Sequence, residues 1–136
     1  MISTISINNG FINEVPFQRG IDALLSFKNQ INKMEVNVIH AFATSAIRDA
    51  KNGMQFKDEA LLKTGISISI IDGNKEADLI YEGNKRAVSL TDQASLIMDI
   101  GGGSTEFIIG TKEKILWKKS YRLGAARLLD KFKPAN

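Results

Sequence analysis

Eight residues constrain this chain most: Asp99-Ile100-Gly101-Gly102-Gly103-Ser104-Thr105-Glu106. They join two apolar runs, SLIMDI at 95–100 and TEFIIG at 105–110. So short a gap leaves no room for a crossover, so the two runs must pair as antiparallel strands. Three glycines remove the Cβ atoms that would hold a ligand away from the backbone. Successive N–H groups in such a turn form an anion-binding nest. Ser104 and Thr105 add hydroxyl donors. Asp99 ends what reads as a buried apolar strand, where a carboxylate is costly unless paired or bound to a cation. Asp99 and Glu106 are hard oxygen ligands suited to Mg²⁺, which often bridges carboxylate to phosphate. The bland alternative is a glycine-rich hairpin with a capped end. The combination of Asp, Ser, Thr and Glu around the glycines argues against it.

The rest of the chain alternates helix and strand. Asn8-Asn9-Gly10 is a turn signal, followed by a helix with Asn13 as cap, Pro16 in its first turn and an Ile12/Phe17 staple. Leu24, Phe27, Ile31 and Met34 form its apolar stripe. VNVIHAFAT, residues 36–44, reads as a short buried strand, with His40 as a structural residue. A helix from Asn52 to Lys63 ends at Gly65, which suits a left-handed cap. ISISII, residues 66–71, alternates as a strand, and Gly73-Asn74 opens a helix to about Leu90. KILWKKSY, residues 114–121, is the third late strand, with Trp117 in a core or interface, and Gly124 precedes a last short helix. Parallel strands joined by helical crossovers are expected in the first half and an antiparallel meander in the second.

Composition narrows the function classes. Apolar residues make up 43%, enough for a packed core, and there are no cysteines and one histidine. Disulfide frameworks, thiolate metal sites and His-rich metal sites are thereby excluded. No apolar run reaches the ~20 residues of a membrane span, and no secretory leader pattern opens the chain, so a cytoplasmic protein with no membrane partner is expected. Residues 112–133 hold eight basic and two acidic residues, which is +6 there and −3 over the rest of a chain of net charge +3. That end can attract a polyanion. No aromatic-interleaved basic motif points to a specific nucleic acid.

Four motifs in order carry a resemblance. DIGGGSTE resembles the second phosphate-binding loop of the exopolyphosphatase / guanosine pentaphosphate phosphohydrolase family, within the actin-like and sugar-kinase superfamily. AFATSAIRDAKNG (41–53) is similar to its strand-to-loop motif, IDGNKEADLIY (71–81) to the segment bearing its catalytic glutamate, and SYRLGAARLLDKF (120–132) to the strand and helix after the second loop. The resemblance covers roughly residues 12–133. It implies hydrolysis of terminal phosphoanhydride bonds of inorganic polyphosphate or guanosine pentaphosphate. Glu76 would be the catalytic residue; Arg48, Gly101, Gly102, Gly103, Ser104 and Thr105 would bind phosphate; Asp99 and Glu106 would serve Mg²⁺. The residues agree with those roles. Arg48 lies just past a strand end, where a guanidinium can hold a phosphate bidentately, although Asp49 is a ready ion-pair partner. Glu76 lies in the first turn of a helix, where the helix dipole favours a carboxylate. Asp78 departs from the family, which more often has arginine there.

The resemblance implies an α/β, ribonuclease-H-like mixed sheet with flanking helices, incomplete or permuted. The family's first phosphate loop, a DxGTN-type sequence, does not occur here. Residues 1–92 would then be the C-terminal part of a first lobe and 93–136 the N-terminal part of a second. Either the late strands complete one permuted sheet of five strands, or a second copy covers the exposed sheet in a homodimer. Little activity is expected of such a partial chain. The alternative functions are a non-catalytic module that binds polyphosphate or a guanosine alarmone, and an ATP-dependent kinase of the same superfamily.

Overall fold

The computed structural model describes residues 7–8 and 10–132. It divides into two compact units, residues 1–70 and 71–136.

The first unit opens with a hairpin, β1 (Ile7–Asn8) against β2 (Phe11–Ile12), turned by Gly10 at φ +83°. Helix α1 (Glu14–Lys33) follows, then β3 (Ala41–Ala43), α2 (Ser45–Arg48), α3 (Gly53–Thr64) and β4 (Ile68–Ile70). Strands β3 and β4 pair in parallel, Ala41 opposite Ile68. The core gathers Ile12, Phe17, Ile21, Phe56, Ala60, Ile66 and Ile68. Phe17 meets Phe56 edge-to-face at 5.1 Å between ring centroids. A Cβ on Gly20 would stand 2.8 Å from the Phe56 ring, so glycine is what lets α1 and α3 close together. The Asn52 side chain accepts from the Ile12 amide and donates to the Ile12 carbonyl, both at 2.9 Å, tying the start of α3 to the entry of α1.

Two readings of this unit need correction. Leu24 and Ile31 do pack at the edge of the core, but Phe27 and Met34 are exposed. At ~100° per residue they fall roughly 70–100° away from the direction that buries Phe17, Gly20 and Ile21. The strand expected over 36–44 shrinks to Ala41–Ala43, and Val36, Val38, Ile39, His40 and Phe42 are exposed. Its one partner, β4, is itself only three residues long, so the ladder has nothing to extend along.

The second unit comprises α4 (Gly73–Ala87), β5 (Ser95–Ile100), β6 (Thr105–Gly110), β7 (Ile115–Tyr121) and α5 (Ala125–Lys131). The three strands form an antiparallel meander with β6 in the middle. Helix α4 buries Ala77 and Tyr81 against Ile108 on one face of that sheet. The Tyr81 hydroxyl donates to the Thr111 carbonyl. Lys118 on β7 ion-pairs with Asp78 and donates to the Asn74 carbonyl of α4. These contacts place α4 with the late strands. The first compact unit ends at Ile70 and the second begins at Ile71. Among the described residues the late strands do not join β3 and β4 in the permuted five-stranded sheet. The β3–β4 and β5–β6–β7 sheets are separate, because each ladder pairs only within its own unit.

Candidate functional site

The glycine turn sits between β5 and β6 and is built from its carbonyls outward. The Gly101 amide donates to the Ser104 carbonyl at 2.9 Å and closes the turn. The turn's carbonyls face α5: Ala125 N donates to Gly101 O, and Ala126 N and Arg127 N to Gly102 O, at 2.9–3.1 Å. The Arg127 Nε adds a bond to Gly103 O at 2.9 Å. A Cβ on Gly124 would overlap the Gly102 carbonyl and the Gly103 amide nitrogen, so only glycine lets the helix start sit this close. The first amides of α5, which a helix cannot satisfy internally, are thus spent on the turn. Among the described residues no hydrogen bond engages the Gly102 and Gly103 amides. These two amides are available as donors; the Gly101 amide is committed to the turn itself.

The hydroxyls divide similarly. Ser104 is buried, and Thr105, also buried, donates to the Leu123 carbonyl at 2.8 Å. The hydroxyl proton of Thr105 therefore braces the segment between β7 and α5.

The acids sit in different surroundings. Glu106 is 1% exposed. It is the Cα partner of Asp99 on one side and of Ser120 on the other, so the three form a row across β5, β6 and β7. Ser120 Oγ donates to Glu106 Oε1 at 2.6 Å. Asp99 is exposed and β5 is largely exposed as well, which corrects the picture of a carboxylate closing a buried strand. The apolar residues of that strand alternate, and Leu96, Met98 and Ile100 lie on the face away from α4. Among the described residues no three potential ligating acids or histidines cluster. Asp99 and Glu106, opposite each other in register, are the two acids that could hold a hard cation keeping most of its waters.

Glu76 lies in the first turn of α4, half-buried, with its amide bonded to the Asp72 carbonyl at 2.9 Å. The helix opens at Gly73 as expected, and Asp72 caps it; its carboxylate accepts from the Lys75 amide at 2.7 Å. An aspartate immediately before the first helical residue, a favoured N-cap type, was the available sequence signal for that cap. Gly73 rests on Ser120: a Cβ there would overlap the serine Cβ and stand 2.6 Å from its Oγ.

Glu76, Asp99, Gly101–Thr105 and Glu106 all belong to the second unit. Arg48 belongs to the first, at the C-terminus of α2, with Nε 3.8 Å from the Asp49 carboxylate. The basic tract is not one face. Lys112 pairs with Asp92 at 3.1 Å, Lys118 with Asp78, Arg127 holds the glycine turn, and Lys119 and Lys131 lie over Tyr121 and Phe132. Lys133 lies outside the described residues. The residues that pattern reading missed are Ser120, Gly124 and Arg127, each engaged with the loop or its acid through contacts between distant positions.

The model of the Ppx/GppA phosphatase family matches residues 3–136. The bifunctional 3-dehydroquinate synthase/phosphatase of Fusobacterium nucleatum is 36% identical over 131 residues, 91% of this chain and 19% of that protein. The guanosine-5'-triphosphate,3'-diphosphate pyrophosphatase of Pseudoalteromonas translucida is 33% identical over 128 residues, 94% of this chain and 25% of that protein. An exopolyphosphatase of Cytophaga hutchinsonii superposes with a TM-score of 0.93 at 41% identity, over 97% of this chain and 42% of its own. A Ppx/GppA family member of Aquifex aeolicus gives 0.78 at 26% identity, over 99% and 44%. The chain thus spans a fifth to a quarter of these curated relatives and under half of these solved ones. With its family model matched almost end to end, this α/β chain of parallel and antiparallel sheets with flanking helices belongs to the Ppx/GppA phosphatase family.

Proposed function

We propose that this chain is the phosphate-holding part of a hydrolase acting on terminal phosphoanhydride bonds, with polyphosphate or guanosine pentaphosphate as substrate. The observation that carries the reading is the glycine turn, whose carbonyls are tied back onto α5 while the Gly102 and Gly103 amides remain available. Those amides and Ser104 would cradle phosphate oxygens. Glu76 would orient a water toward the terminal phosphorus and receive its proton as the bond to the leaving phosphate breaks. Asp99 and Glu106 would hold Mg²⁺, whose contribution is to neutralise charge on the phosphate oxygens. A cytoplasmic setting goes with this substrate class and with a chain free of cysteine.

The test is phosphate release from polyphosphate and from guanosine pentaphosphate with Mg²⁺, at low and moderate salt, beside a binding titration. Phosphoryl transfer depends on positioning and electrostatics, and the chain spans less than half of its solved relatives. Weak, salt-sensitive binding and slow turnover are therefore expected. Glu76→Gln should lower that turnover by ~10²–10⁴-fold with little change in affinity. Turnover unaffected by Glu76→Gln removes the water-orienting role. Binding without any turnover, in parent and variant alike, assigns the chain to a non-catalytic binding module.

A further inference from the structure

Glu106 is an acid in an unusual position. It is 1% exposed, in the middle strand of its sheet, and its hydrogen bond is to a neutral hydroxyl. A buried carboxylate oxygen depends on its hydrogen-bond partner, because losing one leaves a costly unsatisfied polar group. That makes the orientation of its two oxygens consequential. Ser120 controls that orientation from directly across the ladder: its Oγ lies 2.6 Å from Oε1. Ser120 is itself confined from above, because the Gly73 backbone packs so closely that no Cβ fits between them. The same helix turn is held down by Lys118, two residues before Ser120 on the same strand face, through the Asn74 carbonyl and Asp78.

We infer that Ser120 is a positioning residue of this site: its hydroxyl fixes the Glu106 carboxylate for a divalent cation, and its contact with Gly73 seats the turn that carries Glu76. The inference rests on the phosphohydrolase reading for the purpose of the site and on the geometry of Ser120 for its own part. A serine serving only to satisfy a buried acid would be expected to matter to stability alone. A positioning serine matters to how Glu106 meets a cation even where stability is unchanged.

The experiment uses the whole chain. Side-chain carboxyl carbon resonances of Glu106 and Asp99 are followed with and without added Mg²⁺, in the parent and in Ser120→Ala. Alanine keeps the Cβ beneath Gly73 and removes only the hydroxyl. Far-UV circular dichroism and Tm establish that the fold persists, and Ser120→Cys, similar in size but a weak donor, replaces it if alanine does not fold. The expected result is a displaced Glu106 resonance in the metal-free variant. The variant should also need roughly ten-fold more Mg²⁺ for the same response, the scale of one hydrogen bond to a charged group. Binding of polyphosphate in the presence of a chelator should be the same for both proteins. Unchanged Glu106 resonances and an unchanged Mg²⁺ response in the variant overturn the inference. A parent in which neither Glu106 nor Asp99 responds to Mg²⁺ overturns the cation role of the row, and with it the purpose assigned to Ser120. Polyphosphate binding that survives in Gly102→Val would instead sink the nest while leaving the Ser120 result to stand.

Discussion

Among single residues, the glycines of the turn divide into two kinds with different consequences. A Cβ on Gly102 would meet nothing nearer than Ala126 Cβ at 3.9 Å, an ordinary contact. A Cβ on Gly124 would overlap the backbone of the turn. Gly102→Val is therefore expected to fold normally yet lose phosphate or sulfate binding, because its side chain crowds the approach to the amides. Equal anion affinity in the variant and the parent, by calorimetry, would remove Gly102 from the nest. Asp99 shows what residue-level reading misses. Its position at the end of an apolar run suggested burial, but burial is decided by what covers a strand, and nothing in the sequence of 95–100 reports that. Glu106 is the reverse case: the two acids face each other in register, yet one is exposed and the other nearly fully buried.

At the level of elements, local signals were legible wherever chain-local chemistry decides the outcome. Strands β5 and β6 occupy the residues expected of them, 95–100 and 105–110, because alternation and a glycine turn bound both. Gly65 takes φ +70° and donates to the Leu61 carbonyl as the left-handed cap of α3. No atom lies within 4 Å of where its Cβ would be, so Gly65→Ala isolates backbone strain from packing. A loss of ~1–2 kcal/mol is expected, measurable by urea denaturation with an unchanged m-value. The reading of α1 fared less well, because spacings of three and four residues do not say which of several overlapping stripes meets the core. Phe56 on α3 made that choice by packing on Phe17 and Gly20, a contact between helices separated by β3 and α2. The same limit hid Ser120, whose role depends on a ladder to Glu106 and a helix end at Gly73.

Over the described residues, each unit has its own core, and in the second the sheet face away from α4 exposes several large apolar side chains. Leu96, Met98, Ile100, Trp117 and Tyr121 are all exposed on the side away from α4. An apolar face of this kind tends to promote association. The chain is expected to self-associate with concentration in analytical ultracentrifugation, and a Leu96→Lys, Met98→Lys double variant should shift it toward monomer. An unchanged sedimentation profile would show that this face does not drive association. The fold class was legible because it rests on motifs and on alternating helix and strand signals. The packing of α4 on the late strands through Ala77, Tyr81 and Ile108 was not, since it depends on contacts between positions far apart in the chain.

The docking of α5 on the glycine turn makes two distant events one equilibrium. A seven-residue helix is marginal by itself, and its first amides hold the turn's carbonyls. Fraying of α5 releases those carbonyls and lets the turn relax; an anion seated on the opposite amides should oppose that relaxation. By thermodynamic linkage the two effects must be reciprocal. Polyphosphate should then slow hydrogen exchange at the amides of Ala125, Ala126 and Arg127, none of which it needs to touch. Mutations that only loosen α5 should weaken anion binding, at most by the factor by which α5 docking raises that affinity.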